Sequence, residues 1–272
     1  VRARALPAQP VFHPILLPPP YNLPRRGYES GEDHAGVCLI RAEPAEAGID
    51  WEAIERSLWE SGYARTPLLL AADECSELIR LYADEGRFRS RIDMARYRFG
   101  LGEYKYFADP LPPTVASLRA HVYARLVPIA NRWMEALGAK ERYPSDLESF
   151  LSRCAARAQT KPTPLLLRYQ KGGYNCLHQD IYGEVVFPLQ LTGLLSRRNV
   201  DYEGGEFILV EQRPRAQSRG EVVILEQGEA VIFAVRHRPV VGTRGYYRAN
   251  IRHGVSRVTR GERYSLGVIF HN

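Results

Sequence analysis

Leu165-Leu166-Leu167-Arg168-Tyr169, Lys171-Gly172-Gly173 and His178-Gln179-Asp180 follow one another within a single stretch of the chain. The first segment reads as a strand, the second as a turn, and the third follows on the returning arm. Downstream, further apolar runs recur at Val185 to Leu191, Gly204 to Val210, Glu221 to Leu225, Glu229 to Val235, His253 to Thr259 and Tyr264 to Phe270. Gly and Pro divide these runs, which predicts a sandwich or barrel of short strands.

Upstream the periodicity is helical. Asp50 is placed as the N-cap of a first helix with Ile54 and Leu58 on one face, and Gly62 ends it. A second helix is expected from about Ala71, capped by Asp73, with Cys75, Leu78, Ile79 and Tyr82 as its apolar stripe. A third spans about 114–137, with Pro128 expected to kink or split it. A fourth spans Leu147 to Ala158. The expected fold is therefore α+β and β-rich: a double-stranded β-helix, jelly-roll or cupin-like, with supporting N-terminal helices. One catalytic domain is expected, made of a Pro-rich arm (1–48), a helical support region (49–160) and a β-helix core (161–272).

Chemistry concentrates in the core. A lone His-x-Asp is a common pair, and a histidine in an apolar strand is ordinarily a core residue. Here His178 and Asp180 are two apart, so an extended segment projects them to one side, and His253 lies 75 positions later. Two imidazoles and a carboxylate are the ligand set of a non-haem Fe(II) site with open coordination positions. Ten residues beyond His253, Arg263 offers a planar fork suited to a carboxylate such as the distal one of 2-oxoglutarate. Ser265 adds a hydroxyl on the same strand face. Tyr169 is either a further donor to that cosubstrate or a buried core tyrosine.

The stretch from about 165 to 272 resembles the Fe(II)/2-oxoglutarate dioxygenases with a prolyl-hydroxylase-like core. The resemblance rests on Leu-Arg-Tyr-x-x-Gly-Gly before His-x-Asp, on Gly204-Gly205-Glu206-Phe207, on Gly228-x-Ala230-Val231-Ile232-Phe233, and on His253 with Arg263-x-Ser265. From about residue 60 onward the chain more narrowly resembles bacterial AlkB-like oxygenases linked to oxidative demethylation of damaged DNA. That likeness is carried by Tyr97-Arg98-Phe99-Gly100, Gly102 to Phe107, Phe187-Pro188-Leu189-Gln190 and Arg252 to Ser256. It implies Fe(II), 2-oxoglutarate and O₂ as cofactors, with His178, Asp180 and His253 as catalytic metal ligands. Oxidation of 2-oxoglutarate to succinate and CO₂ is then coupled to hydroxylation of a substrate C–H bond. A hydroxylated N-methyl group is lost as formaldehyde.

Between the second and third helices, residues 87–107 carry Arg87, Arg89, Arg91, Arg96, Arg98 and Lys105 among Phe88, Tyr97, Phe99, Tyr104, Tyr106 and Phe107. Cations grip phosphates and aromatic faces stack on unpaired bases. The segment is expected to be a substrate lid, with Arg96-Tyr97-Arg98-Phe99 alternating as a hairpin arm and Arg98, Tyr104 and Tyr106 as substrate residues. The competing structural account makes one face core and the arginines a solvated face.

The net charge of +6 and pI near 9.2 favour a polyanionic partner, though only four of the 37 basic residues are Lys and arginine richness also follows from base composition. No apolar run reaches membrane-spanning length. Cys38, Cys75, Cys154 and Cys176 have no metal-type spacing and read as free thiols in a reducing cytoplasm. No secretory leader and no obligate protein partner are evident in the sequence. Three functions compete: an oxygenase repairing alkylated nucleic acid, single-stranded or base-flipped; a hydroxylase of a protein side chain or small molecule; and a cupin-like binding protein without turnover. Turnover of 2-oxoglutarate excludes the third. Stimulation by methylated single-stranded DNA but not by peptides separates the first from the second.

Overall fold

The computed structural model describes residues 48–272. The arm expected over 1–48 lies, apart from Gly48, outside the described residues, as does Cys38. The helices are α1 (Trp51–Ser61), α2 (Ala72–Leu81), α3 (Pro113–Ala136) and α4 (Leu147–Ala155). The N-terminal strands are β1 (Tyr63–Arg65), β2 (Phe88–Asp93), β3 (Gly100–Leu101) and β4 (Glu103–Phe107). Then come β5 (Leu165–Gln170), β6 (Tyr174–His178), β7 (Leu189–Leu194), β8 (Tyr202–Gly204) and β9 (Phe207–Gln212). The last are β10 (Arg219–Val223), β11 (Ala230–Ala234), β12 (His237–Gly242), β13 (Gly245–Val255) and β14 (Val258–Val268).

Two antiparallel sheets form the body. The larger runs β1-β11-β7-β14-β5-β4-β2, with β8 attached to β14. The smaller runs β10-β9-β13-β6-β3, with β12 attached to β13. Phe207 of the smaller sheet meets Phe233 of the larger with ring centroids 4.9 Å apart, so the sheets close on each other as a double-stranded β-helix. On the larger sheet Leu165, Leu167 and Tyr169 of β5 share one face with Ser265 and Gly267 of β14. The alternate residues Leu166, Leu266 and Val268 are buried in the apolar cluster that also takes Leu118, Val122 and Tyr123 of α3. Tyr123 contacts the Phe150, Phe187 and Phe270 rings, which joins α4 and two strand ends to that helix. No helix among the described residues is long and apolar enough to cross a membrane.

Several expectations are corrected. Residues 49–160 are not helices alone: β2 and β4 extend the larger sheet beyond β5, β1 covers its other edge, and β3 joins the smaller sheet. α2 is not capped by Asp73. It starts two residues earlier, with the Glu74 carboxylate accepting from the Ala71 N–H at 2.8 Å. α3 runs unbroken through Pro128, because burial of Leu126, Val127, Ile129 and Ala130 around it outweighs one lost helix bond. Arg96 to Phe99 is not an extended arm. Ala95–Tyr97 forms a 3-10 turn, Arg98 takes a left-handed φ of 60°, and the Phe99 N–H returns to the carbonyl of fully buried Met94 at 3.0 Å. The strand expected at 253–259 straddles the β13–β14 turn, and the β12–β13 hairpin was not expected at all. Its arginines mask the alternation of Ala249, Ile251 and His253, which point inward.

α1 does follow its expected cap: the Asp50 carboxylate accepts from the Ala53 N–H at 2.9 Å. Gly62 ends it at φ +80°, where a Cβ would lie 2.4 Å from Cδ of Arg238. Arg238 is buried and donates to Glu211 at 2.5 Å and to the Trp59 carbonyl at 2.9 Å, tying α1 to the smaller sheet. Burial pushes the Glu211 carboxyl up, but Arg238 and Arg213 hold it below its usual range. Such a group contributes stability above its unfolded pKa, and that contribution is lost as pH falls through the folded value. Glu211→Ala is therefore expected to cost about 3–5 kcal/mol in urea unfolding at neutral pH. The cost should shrink below about pH 4, and a pH-independent difference would separate it from the ion pair.

Candidate active site

β6 ends at His178, and β13 places His253 directly opposite it. The two rings lie 4.2 Å apart. The chain then turns so that Asp180 faces both, with Oδ1 3.4 Å from His178 Nε2 and Oδ2 3.2 Å from His253 Nε2. One donor atom from each residue falls within 4.8 Å of the others, the only such three-donor group among the described residues. His178 donates from Nδ1 to the Cys176 carbonyl at 2.8 Å. That tautomer leaves the Nε2 lone pair aimed at a carboxylate oxygen. Two acceptors at that separation call for a cation between them, so the donor set fits a divalent metal.

Supporting contacts fix each group. Gln179 donates to the Ile251 carbonyl at 2.7 Å and to Asn250 Oδ1 at 2.8 Å, pinning the His-x-Asp turn to β13. The Tyr182 hydroxyl donates to Asp180 Oδ1 at 3.0 Å. His253 is buried against the Phe233 ring at 4.7 Å and stacks on Phe207 at 5.8 Å. Its Nδ1 is buried without a partner. Burial pushes Asp180 up, but His178 and His253 hold its carboxyl well below the usual range. Burial and the neighbouring His178 lower His253, which keeps that imidazole neutral as a ligand must be.

A cavity of about 340 Å³ lies between the sheets, a volume suited to small molecules. His178, Asp180 and His253 line it, as do Tyr169 and Ser265. Arg263 stands one step behind Ser265 and donates to its Oγ at 3.1 Å. It lines a narrow adjoining cleft that shares Phe207 with the cavity. Its guanidinium is 2 % exposed, lies 5.7 Å from the Tyr169 ring and 5.9 Å from the Tyr202 ring, and pairs with no carboxylate of the described residues. Gly205 makes room for it, since a Cβ there would lie 2.9 Å from Arg263 Cδ. A buried cation without an anion is costly, so this arrangement suits an anionic ligand. Tyr169 is fully buried and lines the cavity; its hydroxyl accepts from Asn175 at 3.3 Å.

At the mouth stand Arg98, Phe99, Tyr104, Tyr106 and Tyr182. The basic segment is divided in its duties. Lys105 is buried and bonded to Glu85 and the Tyr82 carbonyl, Arg91 pairs with Glu103, and Arg89 donates to the Pro162 carbonyl. Arg98 has no ion pair with any described residue. Sequence reasoning missed Tyr182, Tyr202, Asn175 and Phe233. Tyr182 repeats the two-residue spacing of His178 and Asp180 and was detectable on that ground; Tyr202 carried no such signal.

The chain is similar to several known proteins. Residues 102–272 match a family described as an oxygenase catalysing oxidative methylation of damaged DNA. Uncharacterized proteins from two strains of Mycobacterium tuberculosis are each 47% identical over 166 residues, covering 61% of this chain and 71% of theirs. Among solved structures, a Pseudomonas putida prolyl-4-hydroxylase is 15% identical at TM-score 0.47, covering 80% of this chain and 96% of its own. A 2OG-Fe(II) oxygenase family oxidoreductase from Burkholderia pseudomallei is 17% identical at TM-score 0.47, covering 83% and 91%.

Replacing Tyr182 by Phe removes one hydrogen bond from Asp180 and leaves the ring. Co(II) affinity, read by titration of its visible absorption, is expected to fall about ten- to a hundred-fold. Unchanged affinity would show that Tyr182 does not orient the carboxylate. The donor set of two imidazoles and one carboxylate suits Fe(II) with open positions for 2-oxoglutarate and O₂, and the chain belongs to the oxygenase family linked to damaged DNA.

Proposed function

We propose that this oxygenase demethylates alkylated bases in nucleic acid, using His178, Asp180 and His253 to hold Fe(II) and Arg263, with Ser265 and Tyr169, to hold 2-oxoglutarate. The observation that carries the nucleic-acid reading is the mouth of the cavity. Arg98, a cation with no ion pair among the described residues, lines the cavity with the exposed Phe99 ring, Tyr104 and Tyr106, together with the triad. Tyr97 stacks on Phe99 at 5.6 Å, extending the aromatic surface outward. Phosphate binding and base stacking need this pairing of charge and π-face.

Bound iron supplies, with 2-oxoglutarate and O₂, the oxidising power that inserts one oxygen atom into a substrate C–H bond and yields succinate and CO₂. The protein's own residues do the rest. Arg263 and Ser265 anchor the distal carboxylate of the cosubstrate. Tyr182 and Gln179 orient the acidic ligand. Phe207 and Phe233 keep water from His253. An N-methyl group hydroxylated here leaves as formaldehyde and restores the base. The free thiols Cys75, Cys154 and Cys176 suit a reducing cytoplasm.

The deciding experiment is formaldehyde release from methylated single-stranded oligonucleotides against a peptide panel, with Fe(II) and 2-oxoglutarate supplied. Release from oligonucleotides alone supports repair, and peptide hydroxylation alone replaces it with a protein-directed activity. Arg263→Leu should raise the KM for 2-oxoglutarate roughly ten- to a hundred-fold, since a charge-assisted bond is worth about 1.5–3 kcal/mol. An unchanged KM would assign the carboxylate to another cation. Arg98→Ala should weaken single-strand binding and reduce its salt slope by about 0.7. Tyr104→Ala and Tyr106→Ala should weaken binding with the slope intact, because stacking releases few counterions. Folded variants that bind as the parent does would remove the nucleic-acid reading's physical basis.

A further inference from the structure

Phe187-Pro188-Leu189-Gln190 opens β7, and its last residue has no place in the chemistry described so far. Gln190 is 2 % exposed and lines the cavity. Its Nε2 is buried without a hydrogen-bond partner among the described residues. An unpaired carboxamide in a protein interior is costly, whereas one facing a cavity is poised for a ligand.

Strand register locates it. Across the larger sheet, Arg263 stands beside Tyr169, and Ser265 beside both Leu167 and Leu194. Gly267 stands beside Leu165 and Thr192. Gln190 comes two residues further along β7 than Thr192. It is four residues from the Ser265 row, about 13 Å along the strand, and further still from Arg263. A five-carbon diacid anchored at Arg263 spends its length before reaching that point. On its other side Gln190 pairs with Phe233, whose ring abuts His253. Gln190 therefore lies past the cosubstrate, next to the metal-side imidazole, where the molecule being oxidised must come.

We propose that Gln190 is a specificity-determining residue that reads the hydrogen-bonding edge of the methylated base. This inference rests on the nucleic-acid reading above. A carboxamide donates and accepts side by side, so it matches an edge with a ring nitrogen or carbonyl next to an amino group. It distinguishes such bases from those whose edge lacks that pair. Its pair partner Phe233 and the cavity-lining Ile269 are apolar, so the carboxamide offers both a donor and an acceptor from one side chain there.

The test uses the Fe(II) enzyme and single-stranded oligonucleotides each carrying one N-methylated adenine, cytosine, guanine or thymine. For the lesion that wild type prefers, Gln190→Leu is expected to lower kcat/KM by about ten- to a hundred-fold. The KM for 2-oxoglutarate should stay at the wild-type value. Gln190→Glu keeps the volume and the acceptor but loses the donor, and is expected to reorder the lesions rather than weaken all alike. Binding of 2-oxoglutarate to the Mn(II) forms shows that both variants are folded. Equal kcat/KM for wild type and Gln190→Leu on every lesion overturns the proposal and leaves the repair reading intact. A rise in the KM for 2-oxoglutarate that accounts for the loss also overturns it, by assigning Gln190 to the cosubstrate. A wild type that releases formaldehyde from no oligonucleotide overturns the repair reading, and this proposal with it.

Discussion

The register of β13 against β6 is the constraint on which the site depends. It sets His253 opposite His178 across a strand pair, although the residues are 75 positions apart in the chain. Side chains alternate along a strand, so a slip of one residue would turn His253 outward and bring Arg252 or Gly254 in. Close approach reinforces the register: a Cβ at Gly254 would lie 2.7 Å from the Asn175 carbonyl oxygen. Gln179 bonds to the Ile251 carbonyl and so ties the acidic end of the site to the same strand. Three donors from two segments are thereby held by backbone geometry, before any ion is considered.

Two buried arginines show how the fold treats charge. Arg238 is compensated within the protein by Glu211 and a backbone carbonyl, and it serves the junction of α1 with the smaller sheet. Arg263 is equally buried, yet among the described residues its surroundings offer a hydroxyl and two aromatic faces instead of a carboxylate. The same desolvation is thus offset by a carboxylate in one place and by none of the described carboxylates in the other. The Gly204-Gly205 turn belongs to this second arrangement, because a side chain at Gly205 would displace the Arg263 stem.

The basic-aromatic segment serves both fold and surface. Its strand residues are structural: Phe107 and Lys105 are buried, and Phe88 stacks on Phe107 at 5.0 Å. Its turn, anchored by Met94, projects Arg98 and Phe99 over the cavity. The structural account of the segment therefore describes β2 and the Lys105 and Phe107 face of β4, while the turn and the inward tyrosines of β4 line the cavity. Gly100, at φ +146° and with a Cβ position 2.2 Å from the Tyr174 carbonyl oxygen, lets the two meet at β3.

Composition, strand spacing and residue type carried the β-rich core, the first helix with its Asp50 cap, and the candidate triad with Arg263 and Ser265. These are local signals: an N-cap needs one carboxylate, and a His-x-Asp pair on an extended arm needs only alternation. Tertiary structure decided the rest. It made Lys105 a buried structural cation and left Arg98 without an ion pair among the described residues, although both read alike as basic residues among aromatics. It carried α3 unbroken through Pro128, turned Arg96 to Phe99 into a tight turn around Met94, and brought Tyr182, Tyr202 and Gln190 to the site. Those outcomes depend on which side chains the two sheets enclose. That is set by pairings across tens of residues, to which the local pattern of the chain carries no key.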